Sequence, residues 1–200
     1  LKQLAENFKL ENTTIKADVL DAMFRQVRTN DTKSYKKHVL PGKIFATEYD
    51  LGTNGFAYSD KDFVNYRVET GTFEEWNKGK TMRNDGVDIL PCKDDSSNGY
   101  QVSFIENEEW LQFTVITKGA QTFDVAIRYS SEKEEGKLHL ENEMGKISEI
   151  KTLPITGNNA TWKTIMLSGV KLKKGENKIK VVFDKGGFNL NYLDFTVAKK

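Results

Sequence analysis

Apolar residues recur with two different periods along this chain, and the change from one to the other divides it. On the N-terminal side, Val19, Leu20, Met23, Phe24 and Val27 fall at helical spacing, with Asp18, Asp21, Arg25 and Arg28 on the opposite side. The spacing predicts a single amphipathic helix, which cannot bury its apolar face alone and must pack on the following unit or on a preceding one. Thr29-Asn30-Asp31-Thr32-Lys33-Ser34 reads as a polar linker, and Pro41-Gly42 punctuates the start of the next unit. From Ile44 onward the period is two. Phe123, Val125, Ile127 and Tyr129 alternate with Thr122, Asp124, Ala126 and Arg128, and Leu111, Phe113 and Val115 alternate likewise, as do Ile179, Val181 and Phe183.

Further short strands are expected at 44–49, 87–90, 100–105, 137–143, 147–153, 161–167 and 188–197, separated by Gly, Asn and Lys-Gly turns. Many short strands with regular turn signals imply an antiparallel sandwich or barrel. No helical pattern lies between them, which argues against a parallel α/β sheet. The expected fold is all-β, with residues 1–40 a helical tail and linker and 41–200 the sandwich. Trp110, Tyr129 and Phe183 are expected in its core, because their strands alternate so clearly.

Composition removes several functions. Net charge is only +1 over 200 residues, so neither nucleic acid nor an anionic membrane is an expected partner. No apolar run approaches the ~20 residues of a membrane span. The sequence starts at Leu1 without a signal-peptide pattern, which reads as a piece of a longer protein. Cys92 is the lone cysteine, so no internal disulfide forms, and a buried small side chain is its expected role. His38 and His139 stand in unrelated contexts, which argues against a Cys–His nucleophile or a zinc cluster. No nucleophile elbow and no phosphate-cradling Gly-rich loop occurs.

The terminal strand carries the most chemistry. Gly186-Gly187-Phe188-Asn189-Leu190-Asn191-Tyr192 opens on paired amides, and each Asn offers two donors and an acceptor, well matched to sugar hydroxyls. By strand alternation Asn189 and Asn191 share one face, with Phe188, Leu190 and Tyr192 on the other.

Several blocks in order then carry a resemblance. They are Pro41-Gly42-Lys43-Ile44-Phe45-Ala46-Thr47-Glu48-Tyr49-Asp50, Ala57-Tyr58-Ser59-Asp60, Arg83-Asn84-Asp85-Gly86-Val87-Asp88-Ile89, Gly99-Tyr100-Gln101-Val102-Ser103-Phe104-Ile105, Glu109-Trp110-Leu111-Gln112-Phe113, and Pro154-Ile155-Thr156-Gly157 with Thr161-Trp162-Lys163-Thr164. Residues 41–200 resemble a carbohydrate-binding module of family 6. The resemblance implies a jelly-roll-like sandwich that binds plant, algal or microbial polysaccharide without catalysis. It further implies a monomer attached to a bacterial glycoside hydrolase, secreted, periplasmic or at the cell surface, with residues 1–40 as the end of the catalytic part.

It also implies a site. In the family two aromatic rings clasp a sugar whose apolar C–H face suits an aromatic surface. One platform falls on Phe104. The other falls on Asn159, because the chain reads Thr156-Gly157-Asn158-Asn159-Ala160-Thr161-Trp162 where the family has two tryptophans; only the second, ordinarily buried, remains as Trp162. The insertion between Asp60 and Arg83 carries Phe63, Tyr66, Phe73 and Trp76; these rings either pack the loop against the sandwich or, through Trp76 or Tyr66, supply the missing wall. Asn189 or Asn191 would contact ligand, and Glu48 comes from the opening strand. The family's structural calcium would take oxygen ligands near both termini, to which Asp50 and Asp194 are the available contributors; two opening-strand acids are replaced by Phe45 and Thr47. Two alternatives stay open: a sandwich that packs on a catalytic domain without binding glycan, and a glycosidase, whose two carboxylates would face each other across a cleft.

Overall fold

The computed structural model describes residues 29–62, 78–79, 81–83 and 85–199, with 2–7, 9–12, 14–16, 19–20 and 23 of the N-terminal stretch. A short helix α1 spans Lys2–Asn7. Among the described residues thirteen strands follow: β1 His38–Leu40, β2 Gly42–Phe45, β3 Tyr58–Ser59, β4 Ile89–Pro91, β5 Tyr100–Val102, β6 Trp110–Thr117, β7 Gln121–Ser130, β8 Gly136–Asn142, β9 Gly145–Lys146, β10 Lys151–Leu153, β11 Lys163–Leu172, β12 Gly175–Lys185 and β13 Asn189–Val197. They form two sheets. The first runs β1-β6-β12-β8-β10, with β3 added on β6 and β9 on β8; the second runs β11-β7-β13-β5-β4, with β2 added on β13. Among the described residues every pair of strands is antiparallel except β1 with β6, where His38 lies opposite Val115.

Alternation builds the core between the sheets. Phe123, Val125, Ile127 and Tyr129 of β7 turn inward against Leu111, Phe113 and Val115 of β6 and Ile179, Val181 and Phe183 of β12, all buried. Phe183 meets Phe188 edge-on at 5.6 Å, and Phe123 meets Phe195 at 6.0 Å. The all-β sandwich expected from periodicity is the fold that forms. Tyr129 and Phe183 are core residues as expected, but Trp110 is not: it lies half-buried on the outer face of the first sheet, under the Lys180 ammonium at 3.7 Å.

Other departures have local causes. The strand expected over 44–49 ends at Phe45, its last residue paired with β13, and Ala46–Glu48 turns as a buried 3-10 segment. β11 runs on to Leu172, past the expected 167, by absorbing a bulge between Leu167 and Val170. The strand expected over 147–153 pairs only from Lys151. The amphipathic helix falls mostly outside the described residues; of its apolar positions, Val19, Leu20 and Met23 are described and exposed. The sandwich itself begins before residue 41. β1 is part of the first sheet, and the polar run ahead of it is docked: Lys33 and Leu51 exchange backbone hydrogen bonds of 2.9 and 2.7 Å, while Thr32 Oγ1 accepts from Lys178 Nζ at 2.9 Å. No helix among the described residues is long and apolar enough to cross a membrane.

Buried polar groups knit these pieces together. Asp50 is fully buried against β6, its carboxylate accepting from Thr114 N at 2.9 Å, Thr114 Oγ1 at 2.7 Å and Gln112 Nε2 at 3.0 Å. The Arg83 guanidinium lies over Tyr49, its Cζ 3.5 Å from the ring centroid, and donates to the Asp50 carbonyl at 3.1 Å. It also pairs with Asp85 at 2.9 Å. The Arg83–Asp88 block is therefore a structural clamp.

Candidate glycan-binding site

Four loops converge at one end of the sandwich: 103–109 between β5 and β6, 131–135 between β7 and β8, 154–162 between β10 and β11, and 186–188 between β12 and β13. Register brings them together. Leu190 pairs with Val102, so the residues following β5 run beside those preceding β13. The Gly187 amide donates to the Ile105 carbonyl at 2.9 Å, and the Gly186 amide to Asn107 Oδ1 at 2.9 Å. Gly186 is required by this approach, because a Cβ there would lie 2.1 Å from the Ile105 oxygen.

Phe104 stands at this junction. Its φ of +52° puts a bulky residue in the left-handed region, and its ring is 51% exposed. Both features cost free energy, and strain with exposure at a loop tip is characteristic of a binding residue. The Lys78 ammonium lies 5.4 Å from the ring centroid, held by Asp62 at 2.7 Å and Asp88 at 3.6 Å.

Asn189, itself buried, opens β13 next to the segment that leads into Phe104 and heads a directional chain of hydrogen bonds. Its Nδ2 donates to Ser130 Oγ and to Asn159 Oδ1, each at 3.1 Å. Asn159 Nδ2 donates onward to Glu132 Oε2 at 3.1 Å, and Ser130 Oγ donates back to the Asn159 carbonyl at 3.0 Å. Both N–H groups of Asn189 are thus engaged, which leaves its Oδ1 to accept from a ligand hydroxyl. Asn159 folds onto Asn189 as a polar brace rather than standing as a platform. Glu132 was missed by sequence reasoning; its signal was only its place in a loop flanking the site.

The other expected contacts go elsewhere. A bulge between Leu190 and Tyr192 breaks the alternation of β13, so Leu193 and Phe195 point inward while Tyr192 turns out, opposite to its expected face. Asn191 sits in that bulge, fully buried. Its Nδ2 donates to Asp94 Oδ2 at 2.8 Å, and Asp94 is gripped by Arg128 through Nε at 2.9 Å and Nη2 at 3.0 Å. That guanidinium holds the Asp94 carboxyl below its ordinary range. Asn191 therefore anchors a loop instead of sharing a ligand face with Asn189. Glu48 is buried at the other end of this logic, beside β1, paired with Lys36 at 2.9 Å and close to His38. Trp76 and Tyr66 lie outside the described residues. Trp162 is half-buried in this chain.

Beneath Phe104 lies a nest of acids that ties loops together. Glu109 accepts from the Lys61 amide at 3.0 Å and the Glu106 amide at 2.9 Å; Asp60 accepts from the Asp62 amide at 3.0 Å. Burial, then the neighbouring Glu109 and Asp88, push the Asp60 carboxyl up to about 8. These acids serve backbone amides.

A calcium site does not fit this donor set. Calcium takes about six to eight oxygens, yet the Asp50 carboxylate is saturated by three donors on β6, and Asp194 belongs to β13 in the other sheet. Among the described residues no three His, Cys, Asp or Glu side chains gather as a metal site.

Known proteins share the family and the fold of this chain. A family model described as carbohydrate binding module (family 35) matches residues 83–195, more than half of the chain. Among solved structures, a family 6 module of lichenase 5A from Cellvibrio mixtus, in complex with cellotriose, is 24% identical over 57% of this chain and 88% of that one, with a TM-score of 0.51. A family 6 module from Clostridium stercorarium in complex with cellobiose is 14% identical over 82% and 98%, with a TM-score of 0.57. Part of a family 43 arabinoxylan arabinofuranohydrolase from Bacillus subtilis, in complex with cellotetraose, matches 82% of this chain and 28% of that one at 17% identity and a TM-score of 0.57. No curated protein sequence matches. At such identities the family 6 structures share the fold; the family model that matches is that of family 35.

Proposed function

This chain belongs to the carbohydrate-binding modules of family 35, and from that premise we propose that its Phe104–Asn189 end holds a polysaccharide for an attached glycoside hydrolase. The observation that carries the reading is Phe104: an aromatic ring half in solvent, on a left-handed backbone, beside an oriented amide chain. A pyranose stacks its C–H face on such a ring and presents equatorial hydroxyls to flanking acceptors. Asn189 Oδ1 and the free oxygen of Glu132 supply those acceptors, and Asn159 retains one N–H as a donor. The module does no chemistry in this reading; binding concentrates a tethered catalyst on its substrate. Three of the solved structures matched contain cello-oligosaccharides and another is of a β-1,3-glucan-binding module, so β-1,4- and β-1,3-linked glucans are the first ligands to try.

The test is a glycan array followed by calorimetry with the best oligosaccharide. Saturable binding without release of reducing ends is expected, and Phe104→Ala should weaken it roughly tenfold or more. Unchanged affinity in Phe104→Ala sinks the assignment of the site. A folded chain that binds nothing on the array supports instead a sandwich that only packs on its catalytic partner.

A further inference from the structure

The junction of β2 and β13 holds a lysine and two aromatic rings, on the strand where the family resemblance would place acids for a metal. Phe45 and Thr47 occupy two such positions. Thr47 is buried and its hydroxyl accepts from Asn98 Nδ2 at 3.2 Å, while Phe45 turns outward and meets Tyr192 of β13 edge-on at 6.3 Å and 88°. Lys43, two residues before Phe45 on the same face of β2, carries its ammonium over both rings, 4.1 Å from the Tyr192 centroid and 5.9 Å from that of Phe45. Its register partner across the strand pair is Asp194. A cation is therefore already present between β2 and β13, covalently attached, with ring faces and one carboxylate as its neighbours.

We propose that Lys43 takes over the junction of β2 and β13 that a calcium ion would otherwise brace, so that this module folds and holds its strands independently of calcium. Two physical points favour the exchange. A dication placed here would meet a like charge at Lys43 and, from Asp194 alone, only one or two of the oxygens it needs. The ring faces, in contrast, attract a monovalent ammonium and offer nothing to a hard cation that must shed water. The bulge at Asn191 completes the arrangement, because it turns Tyr192 outward to receive Lys43.

Thermal melting of the whole chain after chelator dialysis, with and without millimolar calcium, tests the first half. The midpoints should agree within about 1 °C, whereas a structural calcium at a hundredfold excess over its Kd would raise the midpoint by roughly 5–10 °C. A rise of that size overturns the proposal. Lys43→Met and Lys43→Arg test the second half. The methionine, which keeps the apolar stem, should lower the midpoint by roughly 1–3 °C, and arginine, which keeps the cation over the rings, should restore it. An unchanged midpoint in Lys43→Met overturns the role assigned to Lys43.

Discussion

Asn189 and Asn191 look interchangeable as residues, two amides spaced by one leucine, and they do different work. Asn189 remains at the loop end, 8% exposed, with its Oδ1 outside any hydrogen bond among the described residues; Asn191 is buried in a bulge and spends its N–H on Asp94. Its Oδ1 is buried without a hydrogen-bond partner among the described residues, an arrangement tolerated because the Nδ2 contact is charge-assisted. Asn191→Ala should therefore cost about 1–2 kcal/mol in urea denaturation while leaving oligosaccharide affinity within about twofold; a variant of ordinary stability and weakened affinity contradicts this division. Period-two reading assigns both amides to one face and cannot detect an inserted residue, because a bulge is set by pairing with β7 and not by the strand's own pattern. Phe104 was legible through its neighbours in the Gly99–Ile105 block, but its strained backbone was not. The burial of Arg83 was hidden for a similar reason: it depends on the Tyr49 ring and the Asp50 carbonyl arriving from a distant segment.

Among the elements, legibility followed length. β7 and β12, with 10 and 11 residues, show their inward faces over several alternations. β1 and β3 have 3 and 2 residues and exist because β6 offers them partners, so no local pattern could announce them. The docked run at Thr32 and Lys33 is polar throughout and reads as linker until Lys178 and Leu51 are placed beside it. The turn between β12 and β13 is the element on which the site most depends, since Gly186 lets it seat against the loop carrying Phe104. Gly186→Ala brings a Cβ onto the Ile105 oxygen, which backbone must move to relieve. It should destabilise the fold by about 1–3 kcal/mol and also weaken glycan binding, because the loop displaced is that of Phe104. Loss of stability with intact affinity would separate the turn from the site.

For the molecule as a whole, the two-layer sandwich was legible and the distribution of charge was not. A net charge near zero conceals the neighbouring acids Asp60, Asp88 and Glu109; the long-range pairing of β3 with β6 brings Asp60 to Glu109, and Asp88 arrives from the other sheet ahead of β4. Asp60 titrates near 8 in the folded chain against 3.8 as the ordinary value, so the folded state binds the extra proton between those limits. Its contribution to stability is complete below about 3.8 and lost as pH rises through about 8. Melting midpoints should fall from pH 5 to pH 9, and Asp60→Asn, which keeps an oxygen for the Asp62 amide, should flatten that fall; an equally steep profile in the variant would assign the effect to other groups. The lone cysteine has a consequence at this same scale. Cys92 is only 9% exposed and begins the loop that Arg128 and Asn191 clasp through Asp94. As the chain's single thiol it is a built-in stopwatch, and its rate of modification by a disulfide reagent times the openings of that loop with no label introduced.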